Sequence, residues 1–479
     1  MRAGKTDNIV WRPQPRQSAF MQRGEKEALY GGAAGGGKSD ALVMEALRQV
    51  DIPHYRALIL RKTFPQLRDL IDKTRRYYPA AYPTARYNGT SHTWVFPSGA
   101  QIIFGSLQHS ADKYNYQGQA YDLICFDELT QFAYDEYMYL ISRNRPNGAG
   151  TRCYIRSTAN PGGVGHGWVK ERFVSAGAPG KTIWTPCTVQ APDGTQTTEV
   201  RSRIFIPSTV FDNKELLKND PEYLLNLASL PEAERKALLY GDWDSFSGQV
   251  FIEWRNDPEH YEDRVRTHVV DPFHIPAEWR IYRGFDWGYS RPFAVCWFAV
   301  DWDRRLYLIR ELYGCRATQD GNPIPNTGVG WTAAEVADKI REVESTDPNI
   351  RGRRVHGIAD PAIYQRNGGD SIGAIMESRG IYWDKGDNTR IAGKAQFHNR
   401  LAFDEHGVPM LQVFRTCKHF IRTIPSLVYD EVDVEDVNTD GEDHIYDACR
   451  YVLMANPCKA PRRGIVKEQD FDPLKIDER

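Results

Sequence analysis

The chain has 479 residues, and at roughly 100–200 residues per domain this length predicts two or three domains. Hydrophobic residues make up 41% of the chain and aromatic residues 12%, which excludes a largely disordered protein. The formal net charge of −2 excludes a uniformly basic surface for nucleic acid, so any basic patch must be local.

Strand-like and helix-like segments alternate over the first half of the chain. Short apolar runs predict strands at 27–30, 56–60, 122–126 and 152–156. Helical spacing predicts helices over 40–50, 66–77 and 134–142. Apolar runs on both sides of a Pro-Ser-Gly turn at 97–99 predict a hairpin. Strands that alternate with helices predict a parallel sheet covered on both faces.

A glycine-rich loop follows the first predicted strand and precedes the first predicted helix after it. Residues 31–39 read Gly-Gly-Ala-Ala-Gly-Gly-Gly-Lys-Ser and contain the complete P-loop pattern. Glycines let backbone N–H groups surround phosphate oxygens, and the helix N-terminus adds positive potential. Lys38 is expected to reach the β- and γ-phosphates of ATP, and Ser39 to bind Mg²⁺. The predicted nucleotide contacts in this loop are Gly32, Gly35, Gly36, Gly37, Lys38 and Ser39.

Carboxylates end a later strand, as a Walker B site requires. We expect Asp127 to contribute to Mg²⁺ and nucleotide binding, and Glu128 to activate the attacking water. The next strand ends in Ser157, Thr158 and Asn160, predicted to couple hydrolysis to movement, although an ordinary Asn-Pro-Gly turn is the alternative. Upstream, the amide of Gln17 is predicted to read adenine, and a solvated loop glutamine is the alternative.

The second half follows a different pattern. Residues 210–245 are predicted to be helical, and a hinge is expected before residue 275. Three strands with short turns, at 279–285, 293–300 and 306–312, predict an antiparallel meander. A helix over 332–343 and a strand over 355–359 follow, which is how a ribonuclease-H-like fold begins. Further helices are predicted over 371–378, 394–403 and 443–453.

Carboxylates from three distant segments form a second candidate site. Asp286 and Asp360 end predicted strands, and Asp443 and Asp447 share one face of the last long helix. In this fold the three segments converge, so all four aspartates are predicted to bind metal, with Asp286, Asp360 and Asp443 catalytic. Each aspartate alone has an alternative as a cap or turn residue. The choice between Asp443 and Asp447 stays open, and the neighbouring Asp440 and Glu442 are substitutes.

The order of these motifs resembles the large terminase subunits of tailed bacteriophages. Gln17, the P-loop, Asp127-Glu128, Ser157–Asn160 and the stretch Leu60-Arg-Lys-Thr63 carry the resemblance, which extends over about residues 10–455. It implies an α/β protein in which a P-loop NTPase parallel-sheet domain precedes a ribonuclease-H-like mixed-sheet nuclease domain. The expected domains are 1–210 (ATPase), 211–275 (helical lid and linker), 276–457 (nuclease) and 458–479 (flexible tail).

The resemblance also implies a function and partners. Such a protein uses ATP and Mg²⁺ to move double-stranded DNA into a procapsid, and cleaves concatemeric DNA with Mg²⁺ or Mn²⁺. The implied partners are a portal protein, a small terminase subunit and further copies of the chain in a ring, although isolated chains could be monomeric. The expected location is the host cytoplasm. No signal sequence or membrane span is predicted, and the eight scattered cysteines are expected to be reduced.

Several alternatives remain open at the level of sequence. A helicase or repair ATPase with a fused nuclease, and a packaging scaffold with an inactive nuclease, are the rival functions. Many relatives carry an additional basic residue in the P-loop, which acts as an arginine finger. Here the loop has only Gly and Ala before Lys38, so Arg143 and Arg145 are the candidate arginine fingers. Two basic groups could contact DNA phosphates or form a solvated charged face, namely Arg351, Arg353 and Arg354 and Arg390, Lys394 and Arg400.

Overall fold

The computed structural model describes residues 9–244, 246, 248–318, 321–366, 368–430, 433 and 435–459. The chain divides into two compact units. The first comprises Met1–Val250 with Ala317–Pro325 and Asn438–Gly441, and the second comprises the remaining residues from Phe251 onwards. Most of the predicted flexible tail, residues 460–479, lies outside the described residues. Within the described ranges, no helix combines the length and apolar character needed to cross a bilayer. No disulfide bond joins any of the eight cysteines, all of which lie among the described residues.

The first unit is built on a nine-stranded sheet with the strand order β3-β4-β5-β2-β6-β7-β1-β9-β8. Its strands are β1 (Glu27–Gly32), β2 (Arg56–Arg61), β3 (Arg86–Asn88), β4 (Thr93–Val95), β5 (Gln101–Ser106), β6 (Leu123–Phe126), β7 (Tyr154–Ala159), β8 (Thr182–Gln190) and β9 (Gln196–Ser208). Its helices are α1 (Pro15–Met21), α2 (Lys38–Glu45), α3 (Leu67–Ala81), α4 (Tyr134–Ile141), α5 (His166–Val169), α6 (Lys214–Asn219), α7 (Tyr223–Ala228) and α8 (Glu232–Arg235).

The centre of this sheet is parallel and buried on both faces. Strands β5, β2, β6, β7, β1 and β9 pair in parallel. Alternate residues of β1 enter separate apolar clusters, with Ala28 and Tyr30 in one and Leu29 in the other. This burial explains why the strands read as continuous apolar runs. Because β7 lies between β1 and β6, the carboxyl ends of these three strands meet at one edge of the sheet.

One element of this unit is absent from the sequence-based prediction. Strands β8 and β9 form a long antiparallel hairpin, and only its second strand continues into the sheet beside β1. The outer part of the hairpin is exposed and rich in threonine, so it lacks the apolar run that identifies the other strands. The predicted hairpin around 97–99 is confirmed as β4 and β5.

The second unit contains a mixed sheet with the order β10-β18-β13-β12-β11-β16-β17. The strands are β10 (Val269–Val270), β11 (Arg280–Asp286), β12 (Ala294–Val300), β13 (Leu306–Tyr313), β16 (Val355–Ala359), β17 (Asp384–Lys385) and β18 (Leu411–Phe414), and β14 (Cys315–Ala317) and β15 (Pro323–Gly328) form a separate pair. The helices are α9 (Ala333–Thr346), α10 (Ile372–Ser378), α11 (Arg390–Leu401), α12 (Lys418–Thr423) and α13 (His444–Ala455).

The predicted meander is confirmed, because β11, β12 and β13 pair antiparallel in sequence order. Strand β16 then pairs parallel to β11. Helix α13 packs directly on this sheet at Gly284, where a Cβ atom would lie 2.0 Å from the carbonyl oxygen of Ala448. The glycine thus allows a close helix–sheet approach. The predicted fold class, a parallel-sheet α/β unit followed by a mixed-sheet ribonuclease-H-like unit, is confirmed.

Candidate active sites

The phosphate loop joins the end of β1 to the start of α2. Gly32, Gly35 and Gly37 have positive φ angles of 131°, 72° and 71°, which other residues rarely adopt. A Cβ atom on Gly32 would lie 2.3 Å from the carbonyl oxygen of Ser208, and one on Gly36 would lie 1.9 Å from the Oγ of Ser208. The loop therefore needs glycine both for its backbone path and for its contact with β9.

Lys38 and Ser39 begin α2 beside the Walker B carboxylate. The Nζ of Lys38 donates a hydrogen bond to the carbonyl of Ala33, and burial lowers the pKa of the lysine. The Oγ of Ser39 lies 3.2 Å from the Oδ1 of Asp127. A hydroxyl and a carboxylate side by side form the oxygen donor set that Mg²⁺ accepts beside a nucleotide. The two residues therefore fit the predicted Mg²⁺ of ATP.

Asp127 is fully buried and hydrogen-bonded on both oxygens. The hydroxyl of Thr158 donates to its Oδ1, and the Nε of Arg61 donates to its Oδ2 over 2.6 Å. Arg61 ends β2, which pairs with β6. Arg61 was not predicted as a site residue, although the stretch Leu60–Thr63 carries part of the resemblance. Its position at the end of a strand beside the Walker B strand was the signal that could have identified it.

Glu128 is held by Asn160, the residue that directly follows β7. Its Oε1 accepts from the Nδ2 of Asn160 over 3.0 Å, and its Oε2 accepts from the backbone N–H of Asn160 over 3.1 Å. The backbone of Glu128 is left-handed, with φ 57° and ψ 59°, a strain of about 1–3 kcal/mol that clusters at functional sites. Burial and the adjacent charge of Asp127 raise the pKa of Glu128, which suits a base that must take up a proton.

Two further residues predicted for this site, Ser157 and Gln17, have different surroundings. Ser157 does not reach the carboxylates, and its Oγ has no hydrogen-bond partner within the described part of the chain. Gln17 is buried, with its Nε2 donating to the carbonyl of Gly37 and its Oε1 accepting from the N–H of Gln14. Its amide therefore supports the phosphate loop, and its contact with adenine remains a prediction.

A cavity of about 240 Å³ opens at this edge of the sheet. It is lined by residues 34–40 of the loop and by Lys73, Glu128, Asn160, Asn213 and Leu216. Asn213 donates from Nδ2 to the carbonyl of Gly35 over 2.6 Å and accepts from the Nε2 of Gln14 over 2.6 Å. Lys73 and Asn213 were also missed, because sequence spacing gives no sign that α3 and the start of α6 reach the loop.

The aspartates of the second unit do converge. Asp286 ends β11, and Asp360 directly follows β16, at the same edge of two paired parallel strands. The backbone N–H of Asp360 donates to the carbonyl of Phe285 over 3.4 Å. Asp443 is the N-cap of α13 and Asp447 lies in its first turn. Burial and nearby acidic groups raise the pKa of Asp286 to about 6 and that of Asp443 to about 7.

Asp286, Asp360, Asp443 and Asp447 are together called the acid site. His444 also belongs to it, although no role was predicted for this residue from the sequence. Its Nδ1 lies 3.3 Å from the Oδ2 of Asp286, and its Nε2 lies 3.2 Å from the Oδ1 of Asn326. Burial opposes a charged ring, but the contact with Asp286 raises the pKa of His444. Its spacing of three residues from Asp447 places both on one helix face, which was the available signal.

Two arginines contact the acid site. Arg390 and Arg450 contact different oxygens of Asp447 at 3.4 Å and 3.0 Å. Among the described residues, no group of three or more His, Cys, Asp or Glu side chains is arranged to hold a metal ion. The carboxylate chemistry suits Mg²⁺ or Mn²⁺, but the side chains as arranged do not form a ligand set. Metal binding by these aspartates remains a prediction.

The sequence of the first unit matches a known family. Residues 29–255 match the family model described as terminase large subunit, T4likevirus-type, N-terminal. The predicted resemblance is thereby confirmed over the matched range, which contains the phosphate loop, Asp127, Glu128 and Asn160. A search of curated proteins found no significant match.

Solved structures of large terminases were also found. The large terminase of a thermophilic bacteriophage is 17% identical, with 92% of this chain and 98% of that chain covered and a TM-score of 0.38. The large terminase of bacteriophage HK97 is 10% identical, with 93% and 94% covered and a TM-score of 0.47. The P22 large terminase nuclease domain is 19% identical, with 44% and 92% covered and a TM-score of 0.31. The family assignment rests on the sequence match.

The candidate arginine fingers of the first unit lie away from its own nucleotide site. The carbonyl of Arg143 accepts from the N–H of Tyr121, at the start of β6, and the Nη2 of Arg145 donates to the carbonyl of Gly118. Asp127 follows the opposite end of β6. Neither arginine therefore reaches the phosphate loop of the same chain.

The basic residues proposed for DNA contact are largely engaged within the second unit. Arg400 is fully buried and donates to the carbonyls of Arg304 and Met410. Lys394 is also buried, and Arg353 donates to the carbonyl of Pro276. A DNA contact and a solvated face are both wrong for Arg400, because its guanidinium stabilises backbone carbonyls in the interior.

Proposed function

We propose that the first unit hydrolyses ATP. The observation that carries this proposal is the geometry of Glu128, a half-buried glutamate with a raised pKa that Asn160 orients beside Asp127 at the phosphate loop. Lys38 would neutralise the β- and γ-phosphates, and Ser39 with Asp127 would hold the Mg²⁺ of the nucleotide. Glu128 would then accept the proton of the attacking water.

Substitution of Glu128 by glutamine tests the ATPase. Glu128→Gln keeps the shape and loses the base, so phosphate release should fall by about 100-fold or more while fluorescent ATP analogues still bind. Glu199→Gln, at an exposed position of β9, is the matched control and should hydrolyse ATP at the parental rate. Normal turnover by Glu128→Gln would remove Glu128 as the base.

We propose that the second unit is a DNA endonuclease that uses Mg²⁺ or Mn²⁺. The supporting observation is the convergence of Asp286, Asp360 and Asp443 from two strand ends and one helix. Clustered carboxylates repel one another, and divalent cations relieve that repulsion. Asp447 and His444 lie on the same helix and complete the proposed acid site.

A plasmid cleavage assay tests the nuclease. Parent protein with Mg²⁺ or Mn²⁺ should convert supercoiled plasmid to nicked and linear forms, and Asp286→Asn should lose this activity. Asp303→Asn, in the exposed turn between β12 and β13, is the control. Absence of cleavage by the parent with either metal would favour a packaging scaffold with an inactive nuclease, since no ligand group is assembled among the described residues.

We propose that the complete chain is a viral DNA-packaging motor subunit. The family match of residues 29–255 supports this assignment. The proposed partners are double-stranded DNA, a portal protein, a small terminase subunit and further copies of the chain in a ring on the procapsid, in the host cytoplasm. Packaging is measured as ATP-dependent protection of DNA from added nuclease by procapsids. Strand displacement by the isolated chain would instead favour a helicase.

A further inference from the structure

The nucleotide cavity contains a second lysine besides that of the phosphate loop. Of the described residues that line this cavity, two are basic, namely Lys38 and Lys73. Lys38 begins α2, and its ammonium group donates to the carbonyl of Ala33 within the loop. Lys73 lies on α3 and shares the lining of the cavity with Glu128 and Asn160. Positive charge therefore reaches the cavity from two different helices.

The ammonium group of Lys73 is paired with two carboxylates that water also reaches. Its Nζ lies 3.0 Å from the Oδ2 of Asp69, one turn earlier on α3, and 3.7 Å from the Oδ1 of Asp40, in the first turn of α2. The side chain of Asp69 is 69% exposed, and that of Asp40 is 31% exposed. Ion pairs between exposed side chains contribute little to stability. Lys73 can therefore exchange Asp69 for another anion at small cost.

The acidic groups around the cavity keep Lys73 charged. Burial alone would lower the pKa of Lys73, but the carboxylates of Asp40, Asp69 and Asp127 together raise it above its ordinary value. The Walker B aspartate is thus close enough to act on the charge of this lysine. Arg61, by contrast, contacts Asp127 with both Nε and Nη2, so its guanidinium is already engaged. Lys73 is the cation of this region whose partner is easily replaced.

We propose that Lys73 exchanges its ion pair with Asp69 for the γ-phosphate of ATP and stabilises the charge that develops there during hydrolysis. The inference rests on the ATPase function proposed above and gives that site its second phosphate-binding cation. Lys73 is assigned to the γ-phosphate because Glu128, the proposed base for the attacking water, lines the same cavity. An ammonium group directed at a phosphate is worth more in such a cavity than in bulk water. ADP lacks the γ-phosphate and would not make this contact.

Calorimetric titration of the full chain with a non-hydrolysable ATP analogue and with ADP, both with Mg²⁺, tests the inference. Lys73→Gln should bind the ATP analogue about tenfold more weakly than the parent and bind ADP within about threefold of it, because only the analogue carries the γ-phosphate. The kcat of Lys73→Gln for ATP hydrolysis should fall by about 100-fold. Lys73→Arg keeps the charge and should bind both nucleotides within about threefold of the parent.

Two further variants control for the helix and for the ion pair. Arg75→Gln removes another basic residue of α3, one that pairs with the exposed Asp72, and should bind both nucleotides as the parent does. Asp69→Asn releases the lysine, so its affinity for the ATP analogue should equal or exceed that of the parent. A tenfold loss of that affinity in Asp69→Asn would contradict the exchange. Each variant is first compared with the parent by thermal unfolding.

The outcomes separate the role of Lys73 from the ATPase function. Parental affinities and parental kcat in Lys73→Gln, with ATP hydrolysis by the parent, would overturn the role of Lys73 alone. An equal loss of affinity for the ATP analogue and for ADP would also overturn it, because Lys73 would then only support the fold of the site. Failure of the parent to bind either nucleotide would overturn the ATPase and this inference together. If Lys73→Gln fails to fold, Lys73→Met, which keeps an unbranched side chain without charge, carries the same expected loss.

Discussion

The nucleotide site and the acid site are built from the same kinds of residue, but their carboxylates are paired differently. Each places carboxylates at the carboxyl ends of parallel strands and adds an arginine, Arg61 in the first unit and Arg390 in the second. At the nucleotide site Arg61 donates to the buried Asp127, and Asn160 holds Glu128, which lines an open cavity. At the acid site Arg390 contacts two of the predicted metal-binding carboxylates, Asp443 and Asp447, whereas Arg61 contacts one carboxylate, Asp127. The state of an acidic cluster therefore depends on which basic side chains contact its carboxylates as well as on the carboxylates themselves.

The largest expected effect concerns the rigidity of the nucleotide site. Gly32→Ala should lower ATP affinity by about 1,000-fold, or roughly 4 kcal/mol, because the new Cβ would collide with the backbone of Ser208 and the φ angle is unfavourable. The affinity is measured with a fluorescent ATP analogue. Gly24→Ala is the control, since a Cβ there has no neighbour within 4 Å. Retained affinity in Gly32→Ala would show that the loop tolerates movement.

The next effect concerns the acid site as a source of stability. Asp447→Asn leaves the buried Arg450 without its carboxylate and should destabilise the protein by about 3 kcal/mol in urea unfolding. Asp338→Asn removes an exposed partner of Arg379 and should change stability by less than about 1 kcal/mol. Equal effects of the two substitutions would mean that Asp447 is not a structural counter-ion, which would weaken the contrast between the sites.

The contrast between the sites also explains which features the sequence could predict. The nucleotide loop is one contiguous segment whose glycines, lysine and serine act through local geometry, so its residues can be named individually. The meander and the convergence of Asp286, Asp360 and Asp443 follow from strand order. The pairing of Arg390 with Asp447 depends on rotamers and packing between distant helices. Sequence spacing carries no information about such pairs, whereas the place of Arg61 at the end of a predicted strand was a usable signal.

A smaller effect tests how Glu128 is oriented. Asn160→Ala removes the side-chain donor to Oε1 and leaves the backbone donor to Oε2, so kcat for ATP hydrolysis should fall by about 30-fold, or roughly 2 kcal/mol. ATP affinity should be unchanged. Asn226→Ala, at an exposed position of α7, serves as the control. A fall in affinity with constant kcat would instead assign Asn160 to nucleotide binding.

The smallest expected effect concerns the pH dependence of stability that comes from Glu311, a carboxylate of the same unit outside the acid site. Glu311 on β13 accepts from the backbone N–H groups of His419 and Phe420, and burial raises the pKa of Glu311 to about 7. The folded protein then holds a proton that the unfolded chain releases near its ordinary pKa of about 4.3. Stability from this group is complete below that value and is lost as the pH rises through about 7.

Glu311→Gln should therefore flatten the pH dependence of stability. Between pH 5 and pH 8 the parent should lose about 1 kcal/mol more than the variant in urea unfolding, after allowance for solvent screening at this partly exposed position. The slope with pH is compared, because glutamine can accept only one of the two N–H groups and so carries a constant penalty. Glu405→Gln, with a side chain that is 75% exposed, should keep the parental slope. If Glu311→Gln also keeps it, the pH dependence belongs to the acid site, where the pKa of Asp443 is raised to the same range.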